Sequence, residues 1–163
     1  MIAKMREGVD SAGKNLASPL QLYPGAVVNP SVKNPLIQIK RMEKKIESGA
    51  RFFQTQAVFS EKLMIDFMNQ ISHLKVPVVA GILIVRSLKT AKFLQEKVPG
   101  VHVPEEMFKA LESSQDQAQA GMKYATELAQ KLLTICQGVH LMAIKDEEIL
   151  VDIVEQGNLR SLI

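Results

Sequence analysis

Short apolar runs alternate with helical apolar stripes along this chain. Four runs stand out: Gly25-Ala-Val-Val-Asn29, Phe52-Phe-Gln-Thr-Gln-Ala-Val-Phe59, Val76-Pro-Val-Val-Ala-Gly-Ile-Leu-Ile-Val85 and Gly138-Val-His-Leu-Met-Ala-Ile144. Each is brief and rich in β-branched or aromatic residues. Continuous apolar runs of this length fit strands covered on both faces, as in a parallel sheet. Between them the apolar period lengthens to that of a helix. Leu36, Ile39, Met42 and Ile46 predict one helix, closed by Gly49. Ser60 predicts the cap of a second, whose apolar face is Leu63, Met64, Phe67 and Ile71. Ser87 opens a third, with Leu88, Ala91 and Leu94 turned inward. An extra short helix falls around Pro104 to Leu111. Ser114-Gln-Asp-Gln117 reads as a capping box before a long helix carrying Ala118, Met122, Ala125, Leu128 and Leu132. Asp146 is expected to open the last helix, which Gly157 ends.

Strands alternating with helices imply βαβ units. The expected fold class is α/β: half of a (β/α)8 barrel, with about four parallel strands and covering helices. A complete barrel of this type needs about 250 residues, and this chain has 163. No linker or low-complexity tract interrupts it, so residues 1–163 are expected to form one domain. Half a barrel has a physical problem. Its outer strands leave backbone groups unpaired, and its inner face lacks the opposite wall. Three arrangements answer that: a piece of a longer protein, two copies that complete eight strands, or an open sheet with helices on both faces.

Composition narrows the function classes. Twenty basic residues against 17 acidic ones give a net charge of only +3, and Trp is absent. That balance does not point to nucleic acid. The longest apolar run, Val76 to Val85, is too short to span a bilayer. The start, Met1-Ile-Ala-Lys-Met-Arg-Glu, lacks the apolar core of a signal peptide, so a cytoplasmic location is expected. The single Cys136 gives no internal disulfide. It lies in an apolar, helical-looking stretch and reads as a core residue before a nucleophile.

Chemistry is expected at the carboxyl ends of barrel strands. Those ends are Asn29-Pro30, Gln56, Gly81 to Arg86, and Lys145-Asp146. Gln38, Arg41 and Lys45 fall at i, i+3 and i+7 and share one helix face. Two cations and an amide there suit a pyrophosphate or an acidic partner. A solvated face balanced by Glu43 and Glu47 fits the same spacing. Gln54 and Gln56 lie two apart in an apolar strand. Each offers a donor and an acceptor to a heterocycle, or is satisfied by neighbouring backbone. His73, His102 and His140 have no partners at metal spacing, and no phosphate-cradling glycine motif occurs.

These same segments carry a family resemblance. Gly25-Ala-Val-Val-Asn-Pro30 resembles a G-A-x-x-N-P strand. Lys44-Lys45-Ile-Glu-Ser-Gly-Ala50 with Phe53-Gln-Thr-Gln56 resembles K-x-x-x-G-A-x-x-x-x-T-Q. Ala80-Gly-Ile-Leu-Ile-Val85 is similar to P-G-I-M-P-L, and Val98-Pro-Gly-Val-His-Val-Pro104 to V-P-G-I-x-[VL]-P. Gly138-Val-His-Leu-Met142 resembles G-[IV]-H-x-[YM], and Gly8-Val-Asp-Ser-Ala-Gly13 resembles G-x-D-x-x-G. Together, in this order, they resemble the C-terminal half of the methylenetetrahydrofolate reductase barrel.

The resemblance implies a function. The family enzyme binds FAD non-covalently inside its barrel and passes a hydride between reduced flavin and methylenetetrahydrofolate. Lys45 falls on the family's FAD-contacting lysine, and Gln56 on its pterin-binding glutamine. Thr90 falls on a second folate-side position. Asn29 ends a strand that faces the flavin. Gln38, Arg41 and Lys44 occupy other flavin-contacting helix positions with different residue types. The family's proton-assisting acidic residue belongs to its first four strands, so no catalytic residue is assigned here. Ile84 replaces a common proline, and Met142 a common tyrosine. Leu141-Met-Ala-Ile144 at the end, together with Ala80-Gly-Ile-Leu83, resembles the branch of anaerobes and acetogens, which points to a partner subunit and a donor other than NAD(P)H. The implied partners are folate and an N-terminal half-barrel or a second copy. The alternative is a non-catalytic half-barrel module that dimerises or docks to a partner. Nucleic acid and membrane are not expected partners.

Overall fold

The computed structural model describes residues 2–32 and 34–162. Four strands form one sheet: β1 (Gly25–Val28), β2 (Phe52–Ala57), β3 (Val78–Leu83) and β4 (Gly138–Met142). Their order is β1-β2-β3-β4, and each is parallel to the next. Parallel neighbours cannot be joined by a tight turn, so every connection carries helix. After α1 (Ile2–Arg6) and β1, the crossovers are α2 (Pro35–Glu47) and α3 (Glu61–Ile71). Between β3 and β4 lie three helices, α4 (Leu88–Lys97), α5 (Glu105–Glu112) and α6 (Gln117–Leu133). The last, α7 (Ile149–Gln156), follows β4.

The sheet has two unlike faces. Ala26, Phe53 and Val78 stand side by side in the ladder, as do Ala80 with Val139 and Ile82 with Leu141. These residues meet Met42, Met64, Phe67, Leu128, Leu132 and Ile153 in the main core. The helices therefore cover this face. The other face carries Val27, Gln54 and Val79 in one row, then His140 beside Gly81. Val27 is 51% exposed on it, and Gln56 and His140 are exposed too. Sequential strand order with helices on one side is the arrangement of consecutive (β/α)8 units. A doubly wound sheet would break that order and cover both faces. Four parallel strands in an α/β, barrel-like half are thus what the chain forms.

A second, smaller core sits beyond the carboxyl ends of β2 and β3. Phe59 and Val85 follow those strands and pack with Ala91, Leu94, Val103, Met107 and Leu111. The Tyr124 hydroxyl donates to the Phe59 carbonyl at 2.8 Å, tying α6 to this layer. Burial, and then the nearby Glu106 charge, push the Tyr124 pKa up. Gly121 makes the join possible. A Cβ there would overlap the Val85 carbonyl oxygen and crowd the Arg86 backbone.

Several local expectations hold. Ser60 and Ser87 cap α3 and α4 by accepting from Leu63 N and Thr90 N. Gly49 follows α2 with a φ of 100°. Other details differ. Leu36 is 65% exposed, because the buried stripe of α2 runs through Ile39 and Met42. The cap of α6 is Asp116, whose carboxylate accepts from Gln119 N; Gln117 instead turns to accept from Leu88 N. Asp146 does not open α7. It adopts a φ of 55° in the turn before it. Cys136 lies past the end of α6, in the turn into β4. It is buried against the main core, and burial pushes its thiol up to about 11.

The close approach at Gly121 generates a test. Gly121→Ala places a methyl against backbone that cannot move aside, an overpacking cost of about 1–3 kcal/mol or more. Urea unfolding should show a midpoint lowered accordingly. A midpoint at the parent value would mean that α6 does not abut the loop after β3.

Candidate functional site

The carboxyl end of β2 is irregular, and that irregularity shapes the site. Gln54 pairs with Val79, but the next matched pair is Ala57 with Gly81, so β2 holds one residue more than β3. This is a β-bulge. Its effect shows in the packing. Phe53 and Val58 both enter the helix-side core, although an unbroken strand would send positions an odd number apart to opposite faces. Within the bulge Thr55 is 2% exposed, while Gln56 is exposed and Gln54 half-buried. Thr55 Oγ1 accepts from Gly81 N at 2.8 Å and donates to the Gln56 carbonyl at 2.7 Å.

Asn29 stands directly after β1. Its Oδ1 accepts from Ser31 N at 2.9 Å, which fixes the turn away from the strand. Gly100, in the loop between α4 and α5, lies against the Asn29 amide. A Cβ on it would come within 2.7 Å of Asn29 Nδ2. The segment from α4 to α5 therefore crosses over the carboxyl end of β1. Between them is a cleft of about 340 Å³ lined by Pro30, Ser31, Val32, Leu63, His102 and Val103.

The α2 residues divide. Lys45 is half-buried, and its Nζ donates to the Val27 carbonyl of edge strand β1 at 2.6 Å. Gln38 is half-buried, whereas Arg41 and Lys44 are exposed. None of these three has a side-chain ion pair among the described residues. An ammonium keeps two further donors after one hydrogen bond. Lys45 can thus hold the strand edge and still meet an anion.

The loops after β3 and β4 are tied to each other. Arg86 Nη1 and Asp146 Oδ2 pair at 2.6 Å. Thr90, in the first turn of α4, is half-buried, and its hydroxyl shares a hydrogen bond of 2.9 Å with Ser87. His140 is exposed on the inner face, His102 borders the cleft, and His73 faces Glu43 at 3.7 Å. Among the described residues no cluster of His, Cys, Asp and Glu could hold a metal ion. No described helix is long and apolar enough to cross a membrane.

Asn29, Gln56 and Thr90 therefore all fall at carboxyl ends of the strands or in the segments that follow. Gln38, Arg41, Lys44 and Lys45 fall on the helix behind β1. Sequence reasoning missed Thr55 and the Arg86–Asp146 pair. A lone hydroxyl between two amides was the only trace of the first. The second joins residues 60 positions apart and left none.

A family model described as methylenetetrahydrofolate reductase matches residues 1–158. Comparison with the curated proteins finds no match. Among solved structures, the chain is similar to a protein from Clostridium thermocellum, described as an uncharacterized protein that binds two copies of 5-methyl-5,6,7,8-tetrahydrofolic acid. The TM-score is 0.65 at 16% identity, over 100% of this chain and 70% of that one. At that identity the likeness speaks for the fold. The family match covers nearly the whole chain, on four parallel strand–helix units with polar side chains at their carboxyl ends, and the chain belongs to the methylenetetrahydrofolate reductase family.

Proposed function

We propose that this chain supplies one wall of an FAD-dependent methylenetetrahydrofolate reductase barrel, the C-terminal portion, completed by an N-terminal half or a second copy. One observation carries the reading. Among the described residues no helix covers the inner sheet face, which presents Gln56 at its carboxyl end, between two open sheet edges. A polar amide on an otherwise apolar face suits a flat heterocycle with its own donors and acceptors. The structural neighbour's description as a 5-methyltetrahydrofolate binder supports folate as that heterocycle.

The residues present fit FAD in charge. Arg41, Lys44 and Lys45 offer cationic donors to its pyrophosphate from α2, Gln38 adds an amide, and Asn29 adds another from the end of β1. When bound, the flavin supplies the hydride chemistry. The chain's own work is binding and orientation. Gln56 anchors the pterin, Thr90 borders it, and the second core braces the loops after β2 and β3. With one wall alone, half of the flavin pocket is missing, so the isolated chain is expected to be inactive. A cytoplasmic setting and a partner subunit that passes electrons belong to the same proposal.

A second reading rests on the same open edges. The chain can be a non-catalytic module that dimerises through β1 or β4. Sedimentation with flavin absorbance separates it: this reading requires a flavin-free species of twice the chain's mass, and a clean monomer removes it.

Flavin absorbance tests the main reading. The purified chain is expected to hold little or no FAD. Stoichiometric yellow flavin in the monomeric chain would overturn the missing-wall argument. For the substrate, Gln56→Ala should weaken 5-methyltetrahydrofolate binding about tenfold, the worth of one hydrogen bond of about 1.4 kcal/mol. The exposed position should leave thermal stability near the parent's. Calorimetry showing equal affinity would take Gln56 out of the site.

A further inference from the structure

We propose that Thr55 is a positioning residue that fixes where Gln56 stands on the open face by holding the β-bulge in place. This rests on the reading of Gln56 as the folate anchor. Thr55 is the one buried polar side chain among the described residues. Both hydrogen-bonding roles of its hydroxyl are in use, and each spans the bulge. The Gly81 N–H, which a regular ladder would give to a backbone carbonyl, goes to Thr55 Oγ1 at 2.8 Å. The hydroxyl proton goes to the Gln56 carbonyl at 2.7 Å.

Gly81 is the other half of the device. Regular pairing resumes beyond it, with Val58 N donating to the Gly81 carbonyl at 2.8 Å. A Cβ on Gly81 would lie 2.7 Å from the Thr55 carbonyl and 3.3 Å from that of Gln56. The bulge thus leans on a residue without a side chain. Its carbonyl drawn in toward the hydroxyl, Gln56 is left with its amide exposed. Valine has the shape of threonine without the hydroxyl. It would leave Gly81 N–H and the Gln56 carbonyl without these partners in a buried stretch, which favours closing the bulge. Without the extra residue Gln56, not Ala57, would stand opposite Gly81, so its amide would move along the open face and the residues after it would change sides.

The experiment uses the full chain with 5-methyltetrahydrofolate as the probe. Thr55→Val is expected to lower its affinity about tenfold, as if the Gln56 hydrogen bond were lost, and Thr55→Ser to stay within about twofold. In a Gln56→Ala background, Thr55→Val should cost nothing further, since Thr55 acts through Gln56. Additive losses would overturn the proposal and leave Thr55 a structural residue. If Thr55→Val does not fold, the serine variant decides, because its retained hydroxyl must preserve affinity. A tenfold loss in folded Thr55→Ser overturns the idea. Should the parent chain alone take no folate, a ligand-free measurement judges Thr55 separately. The Gln56 side-chain amide resonances should shift and Gly81 amide exchange accelerate in Thr55→Val, with neither change in Thr55→Ser. Gln56 resonances that stay in place in folded Thr55→Val would sink it.

Discussion

A parallel sheet whose strands follow one another in sequence order can be covered on one face only by its own crossovers. That constraint governs this molecule. Each helix must pack onto the sheet it has just left, and here α2, α3, α6 and α7 all land on the side of Phe53, Val78 and Ile82. The opposite side keeps Val27, Gln56 and His140 in solvent. In a closed barrel such a face becomes the interior, and its carboxyl end becomes the binding site. The uncovered face and the candidate site are therefore one feature.

The site is then refined by close backbone approaches. Gly81 lets the bulge of β2 rest on β3, and Gly100 lets the α4–α5 loop lie against Asn29. Gly121 brings α6 onto the loop after β3. These contacts are rigid, since backbone meets backbone or a turn-locked amide. They decide where Gln56, Asn29 and Thr90 stand relative to each other more firmly than the ion pairs do. The Arg86–Asp146 pair is short, but its side chains are 37% and 46% exposed, and solvent screens such pairs to about 0–1 kcal/mol. It joins two loops without holding the fold together.

Lys45 connects sheet edge and chemistry. An unpaired edge strand invites addition of another strand, and a lysine placed there discourages it. Lys45 occupies the Val27 carbonyl of edge strand β1. The residue the family resemblance assigns to the flavin is also the one that quiets the open edge.

Much of the architecture was legible from residue order. Brief apolar runs separated by helical stripes, with Ser60 and Ser87 as caps, specify strand–helix units because period and capping are local properties. The ordered motifs located Asn29 and Gln56 near strand ends, and Lys45 on the helix between those strands, for the same reason. Three local readings misled where a tertiary partner intervened. Gln117 left its capping role to bond Leu88 N, Asp146 was drawn into a turn beside Arg86, and Leu36 fell outside the stripe that α2 buries. By itself, then, the sequence determined the elements, their order and the family. Only the tertiary structure decided that β2 bulges at Thr55, that Lys45 reaches Val27, and that the α4–α5 loop meets Asn29. Each of those depends on atoms from segments distant in the chain coming within hydrogen-bonding or contact range, and no local pattern encodes that distance.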